Sequence, residues 1–179
     1  MSSLNVKLRA ASLEDPNAIE RLHLAAFDEA EASSVAHLAI SILFDPTAIP
    51  LLAYVAEIDN EVVGSVMFSS CHLVEHSSIK ASILAPLAVA PAQQKNGIGR
   101  ALIDQGLATL AAQKIDLVFV YGDPKYYMRS GFKLQNQITA PFPLQFPEVW
   151  MVHELTAAAM DGLFGNLACC QSLSHPQYW

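Results

Sequence analysis

The chain has 179 residues, 53% of them hydrophobic, with ten Lys and Arg against seventeen Asp and Glu, a formal net charge of −7. Its mean hydropathy is +0.31, yet no apolar run reaches the roughly 18 to 20 residues of a membrane span, and Met1 to Arg9 has no hydrophobic leader segment. These features predict one domain spanning residues 1–179, with a sizeable core, in the cytoplasm, and they disfavour a nucleic-acid or membrane partner.

In chain order, Asn5 to Ala10 alternates polar and apolar residues as a strand does, and Ser12 with Glu14, Asp15 and Pro16 predicts an N-cap and a helix from about Asp15 to Asp28. A second helix should run from Ser33 to Phe44, closed by Asp45 and Pro46. Leu51 to Ile58 and Glu61 to Ser70 read as a hairpin turning at Asp59 and Asn60, with the second strand able to continue through Cys71 and His72. Ala81 to Val89 is another strand, followed by a helix from Gly97 to Gln113. At 100° per residue, Ile103, Leu107 and Leu110 fall within about 60° of each other, so this helix packs one face on a sheet.

Asp116 to Tyr121 is a short buried strand, and the helix before it implies that it lies parallel to the Ala81 strand. A short helix from Pro124 to Ser130 stops at Gly131, Phe132 to Leu134 resumes a strand, and three prolines make Ala140 to Pro147 a loop. Val149 to Leu155 is a last strand, Thr156 should cap a short helix through Leu163, and the tail from Gly165 to Trp179 has no assignment. The sum is a mixed α+β fold, a mostly antiparallel sheet with one parallel strand-helix-strand crossover. Cys71, Cys169 and Cys170 show neither a zinc spacing nor a disulfide framework, so no metal is expected and the compartment reads as reducing.

The stretch LAPLAVAPAQQKNGIGRAL, Leu84 to Leu102, carries the clearest chemistry. A strand that turns through Gln94, Lys95 and Asn96 into Gly97, Ile98, Gly99 and Arg100 offers unpaired amides and the positive end of a helix dipole to one point, a geometry that binds phosphate. A side chain at Gly97 or Gly99 would hold an anion off those amides. The spacing fits neither a Walker loop, which needs Gly-x-x-x-x-Gly-Lys, nor a dinucleotide fingerprint, whose third glycine would stand at Leu102.

Taken together, Val89-x-Pro91-x-x-Gln94-x-x-Gly97-x-Gly99 and Tyr127-x-x-x-Gly131-Phe132 resemble the Gcn5-related N-acetyltransferases (GNAT) from Val6 to about Leu155. The Gly122-Asp123-Pro124-x-Tyr126-Tyr127 lead-in is similar to the YhbS-like subgroup of predicted acetyltransferases. The resemblance implies a GNAT fold, acetyl-CoA as cosubstrate, and transfer of an acetyl group to a primary amine by direct attack. It places the pyrophosphate on Gln94, Lys95, Asn96, Gly97, Ile98, Gly99, Arg100 and Ala101. It places the pantetheine arm on the main chain of Leu87 and Val89, at a bulge that would make Pro86 tolerable in a central strand.

In that reaction charge develops on the carbonyl oxygen, for which a backbone amide near Leu87 or Ala88 is the candidate donor, and then on sulfur. The resemblance makes Tyr127 the acid that protonates the leaving thiolate. From a phenol of pKa about 10 to a thiol of about 8.5 the transfer costs about 2 kcal/mol, which a phenol tuned downward would reduce. Tyr126 is expected to pack, as is His153.

Many GNAT relatives carry a Glu on the strand before Val89, where this chain has Ala85, Pro86 and Leu87, so the base is a relayed water or one of Glu29, Glu31, Glu57, His72 and Glu75. Through residue 75 there are three basic against eleven acidic residues, which suits an amine-bearing acceptor, a small molecule or a peptide. The acidic early helices and the loop near Phe142, Phe146 and Trp150 occupy the acceptor side in relatives, and the tail could fold over the site or join a homodimer contact. The alternative function is a GNAT-fold acyl-CoA-binding module without catalysis.

Overall fold

The computed structural model describes residues 5–179; Met1 to Leu4, part of the segment read above for a leader, lie outside the described residues. Its sheet has the order β1 (Lys7–Ala10), β2 (Leu52–Ile58), β3 (Glu61–Leu73), β4 (Lys80–Val89), β5 (Leu117–Tyr121), β8 (Trp150–Glu154) and β6 (Lys133–Leu134). Off that path, β9 (Gly165–Cys169) pairs with β3 and with the short β7 (Ile138–Thr139). In the main path only β4 and β5 are parallel, joined by α3 (Ile98–Ala112), as the crossover argument requires. The β2–β3 turn is tight because Asp59 and Asn60 both adopt left-handed dihedrals, φ 51° and 65°.

Period-2 alternation divides the core between two faces. On one, Met67, Ile83 and Phe119 pack with Ile19 of α1 (Pro16–Ala26) and Leu38 and Ile42 of α2 (Ala32–Leu43). On the other, Phe68, Leu84 and Val120 receive Leu102, Ile103, Leu107 and Leu110 of α3. Each such side chain, buried, contributes roughly 1.5 to 3 kcal/mol. Gly106 lets α3 come this close, since a Cβ there would meet the Phe68 ring at 2.1 Å.

Three local expectations change. Asp15, not Ser12, stands at the N-cap of α1, because its carboxylate is drawn back to the Ser12 amide at 2.6 Å and held by Arg9 at 2.7 and 2.8 Å. The helix expected after Thr156 is instead a run of turns, broken where Ala158 (φ 59°) and Gly162 (φ 72°) turn left-handed. The unassigned tail is built into the sheet: β9 sets Cys169 opposite Cys71 on the stretch of β3 that lies beyond its pairing with β2. Beyond β9, the Gln171 amide donates to Thr47 Oγ1 at 2.8 Å and the Ser172 amide to Asp45 at 2.7 Å, tying the tail to the end of α2.

Candidate active site

The site begins where the parallel pair separates. Ala81, Ser82 and Ile83 face Leu117, Val118 and Phe119, and the β4–β5 pairing stops there although β4 runs on to Val89. At the same point β4 bulges: Leu84 lies opposite Phe68 and Leu87 opposite Val66, leaving Ala85 and Pro86 against Met67 alone. Pro86, which has no N–H to donate, thus sits at a bulge, where proline is tolerated within a sheet. The Ala90 amide donates to the Val63 carbonyl at 2.8 Å. Counting back along that ladder, Ala88 turns its N–H and C=O toward β3, whereas Leu87 and Val89 turn theirs into the open wedge. Of the two amides suggested for the carbonyl oxygen, Leu87 is therefore available and Ala88 is committed to the sheet. Part of the Val89 carbonyl's capacity is used by Gln94 Nε2 at 3.1 Å.

The wedge leads to the glycine turn. Lys95 (φ 64°) and Gly97 (φ 82°) are left-handed, and nothing lies within 4 Å of where a Gly97 Cβ would be, so its approach is open. The first intrahelical bond of α3 runs from the Ala101 amide to the Gly97 carbonyl at 2.9 Å, leaving Ile98, Gly99 and Arg100 with free amides and no side-chain cap. Gly99 has a steric role in addition to the one expected. A Cβ there would meet the Tyr126 hydroxyl at 2.0 Å, so this glycine seats a tyrosine against the helix end.

A cavity of about 400 Å³ is lined by Leu87, Ala88, Val89, Gln94, Lys95, Gly97, Ile98, Gly99 and Arg100, all anticipated, and by Phe27, Tyr126 and Arg129, which were not. Two anticipated residues are missing from it. Ala101 spends its amide inside the helix, and Asn96 turns toward Gln93, 3.4 Å from Nδ2 to Oε1. The cavity's charged groups are Lys95, Arg100 and Arg129, with no acid among the described lining. A second cavity of about 720 Å³ opens on the other side of Leu87 and Phe27, which line both. Its charged groups are Glu31, Asp123 and Glu148, with no Lys, Arg or His among the described lining.

Tyr127 lines this second cavity. Its ring lies over Gly122, where a Cβ would come within 2.6 Å of it, and meets Tyr126 and Phe132 edge-on at centroid distances of 5.2 and 5.9 Å. Burial pushes its phenol well above the ordinary tyrosine range, and the neighbouring Tyr126 and Asp123 push it the same way. The direction is opposite to the downward tuning considered above, so the phenol keeps its proton at neutral pH. Burial likewise raises Tyr126.

Residues 51–134 match the model of an acetyltransferase (GNAT) domain. Over 143 residues the chain is 36% identical to the uncharacterized N-acetyltransferase YjhQ of Escherichia coli K12, covering 76% of this chain and 78% of that protein. The chain belongs to the GNAT acetyltransferase family. Its fold superimposes on the GNAT N-acetyltransferase YhbS of Escherichia coli, solved in complex with CoA, with a TM-score of 0.87 and 26% identity over 98% of this chain and 95% of that one. A GNAT acetyltransferase from Brucella melitensis, solved with acetyl-CoA, shares the fold at a TM-score of 0.74 and 23% identity, covering 96% of this chain and 99% of that one.

In this GNAT chain the five groups suggested as bases part company. Glu31 lines the acidic cavity. Glu57 is bound by Arg9 at 2.8 Å, and Glu75 accepts from the Asn166 amide and side chain at 2.8 and 2.9 Å. Glu29 and His72 are exposed and line neither cavity. Sequence reasoning missed Glu148, in the short turn that follows the proline-rich loop, and Asp123, which also caps α4 (Pro124–Tyr127) through the Lys125 amide at 2.9 Å. Phe146 lines the acidic cavity, whereas Trp150 is buried beneath it, stacked on Phe119 at 5.4 Å, and Phe142 lines neither cavity. His153 packs on Phe132 at 5.4 Å, and burial lowers its pKa, consistent with a neutral core histidine. No group of three or more His, Cys, Asp or Glu among the described residues is arranged to hold a metal ion, and no described helix is long and apolar enough to cross a membrane.

Proposed function

We propose that this GNAT chain transfers the acetyl group of acetyl-CoA to a primary amine by direct attack, with a small molecule or peptide as acceptor. The observation that carries the reading is the division of charge across Leu87: a cationic cavity over free helix amides on one side, an anionic cavity on the other. The amides of Ile98, Gly99 and Arg100, with Lys95, Arg100 and Arg129, would hold a pyrophosphate. The main chain of Leu87 and Val89 would pair with the pantetheine amides as an added strand. Bound acetyl-CoA supplies the thioester carbonyl and the thiolate that leaves. The Leu87 amide is fixed by the sheet before any substrate arrives, and so stabilises charge on the carbonyl oxygen without reorganisation. Tyr127 donates its proton toward sulfur. The burial that raises the phenol raises a thiol in the same place, so the two stay matched. Glu31 and Glu148, at the acceptor cavity, are placed to draw in an ammonium and take its proton directly or through water.

Turnover of acetyl-CoA over a panel of amines, read as free thiol and as acetylated product, tests the proposal. CoA binding without transfer to any amine would support the acyl-CoA-binding module instead.

A further inference from the structure

The acceptor cavity has a wall from a part of the chain outside the matched GNAT domain. Tyr178 and Trp179, both half-buried, line it together with Glu31 at the N-cap of α2. Their position is fixed from several directions. Trp179 donates Nε1–H to the Leu173 carbonyl at 2.9 Å and meets Trp150 edge-on at 5.9 Å, and Trp150 donates its own Nε1–H to the Ile138 carbonyl at 2.8 Å. Asp45 and Thr47 hold the start of the same segment through the Ser172 and Gln171 amides. A wall held this firmly offers an aromatic face at little entropic cost.

Two features of the cavity select in the same direction. With no Lys, Arg or His among its described lining residues, no cationic side chain there pairs with a carboxylate, while Glu31, Asp123 and Glu148 repel one. The aromatic wall, with Phe27 and Phe146 nearby, rewards an apolar body larger than a short alkyl chain and attracts a cation lying against it.

We infer that the acceptor cavity takes an amine with an aromatic or bulky apolar body and no carboxylate, and that Trp179 and Glu31 determine this preference. This rests on the transfer reading above only in calling that amine the acceptor.

The full chain, saturated with CoA for calorimetric binding and supplied with acetyl-CoA for turnover, is tested with 2-phenylethylamine, phenylalanine and ethylamine. 2-Phenylethylamine should bind, and turn over in kcat/KM, at least tenfold better than either of the others. Trp179→Ala should erase its advantage over ethylamine, Trp179→Phe should keep most of it, and the KM for acetyl-CoA should stay within twofold in both. Because Trp179→Ala also removes a packing partner of Trp150, Glu31→Lys at an exposed position gives an independent arm, and should narrow the gap between 2-phenylethylamine and phenylalanine at least fivefold. Equal binding of the three ligands, or a preference unmoved by both Trp179→Ala and Glu31→Lys, would overturn the inference. Absence of turnover with the binding preference intact would count against transfer while upholding the cavity's selectivity.

Discussion

Ile83 and Phe119 are the last partners of the parallel ladder; beyond them β4 and β5 separate, and the main chain of Leu87 and Val89 is left without a neighbour on that side. An unpaired strand edge inside a sheet is costly unless something occupies it. The Ala85–Pro86 bulge creates the opening and the turn at Gly97 closes its far end, so one stretch of chain provides both an edge for an extended ligand and free amides for its phosphates.

Gly99→Ala should weaken CoA binding at least tenfold without unfolding the protein. The added Cβ displaces the Tyr126 hydroxyl, and Tyr126 lines the cationic cavity. Helix propensity itself would gain, by about 1 kcal/mol. Adding Tyr126→Phe removes the clashing oxygen and leaves Cζ at 3.3 Å, so the double variant should recover most of the affinity. Calorimetric titration with CoA checks this; an equal loss in the double variant would show that Gly99 acts in another way.

Arg129 was not anticipated at the cofactor cavity, and its contribution there is charge. Arg129→Ala and Lys95→Ala should each raise the KM for acetyl-CoA several-fold with kcat little changed. Both should also flatten the dependence of that KM on salt between 50 and 300 mM. The measurement is initial rate against acetyl-CoA at three ionic strengths.

Acid should release the tail and the start of α1. Hydrogen bonds from Arg9 hold Asp15 at about 2, against burial that opposes them. At Asp45 burial is the largest single influence and pushes the pKa up, but the bonds from Thr47 and Ser172 together outweigh it and bring it to about 2. A carboxylate depressed in the folded state contributes stability above its unfolded pKa near 4, and the contribution is lost as pH falls from about 4 to about 2. Each is on the order of 2 kcal/mol. Denaturant melts across pH 2 to 7 should show that slope, and Asp45→Asn should reduce it while lowering stability at pH 7 by about 1 to 3 kcal/mol.

What the sequence disclosed was what local chemistry decides. Gly97 before an apolar period forecast the open helix end, and Gly131 forecast the stop after Ser130, whereas the bulge at Pro86 was expected only through the family resemblance. The remainder depends on long-range contacts. Glu148 and Glu31 share a cavity although 117 positions separate them, and Trp179 reaches it only because Asp45 and Thr47 capture the segment before it. Thr156 looked like a cap, but the turns at Ala158 and Gly162 prevailed. The pKa of Tyr127 follows its burial against Gly122 and Phe132, which spacing alone does not reveal.

The raised phenol of Tyr127 also shapes the pH profile. A phenol raised above its ordinary value near 10 leaves no alkaline fall in kcat with a midpoint between pH 8 and 10 from its own ionisation. Rates over that range, at saturating acetyl-CoA and amine, should level off rather than decline, and a decline with a midpoint near 9 would mean that the phenol is tuned downward after all.

The most direct measurement is the rate of free-thiol release from acetyl-CoA in the presence of an amine, compared between the wild-type chain and Tyr127→Phe, with CoA affinity measured on both. Amine-dependent thiol release in the wild type, reduced on the order of 100-fold in Tyr127→Phe at nearly unchanged CoA affinity, is the predicted result. Thiol release that does not depend on the amine, or that persists at full rate in Tyr127→Phe, would contradict it.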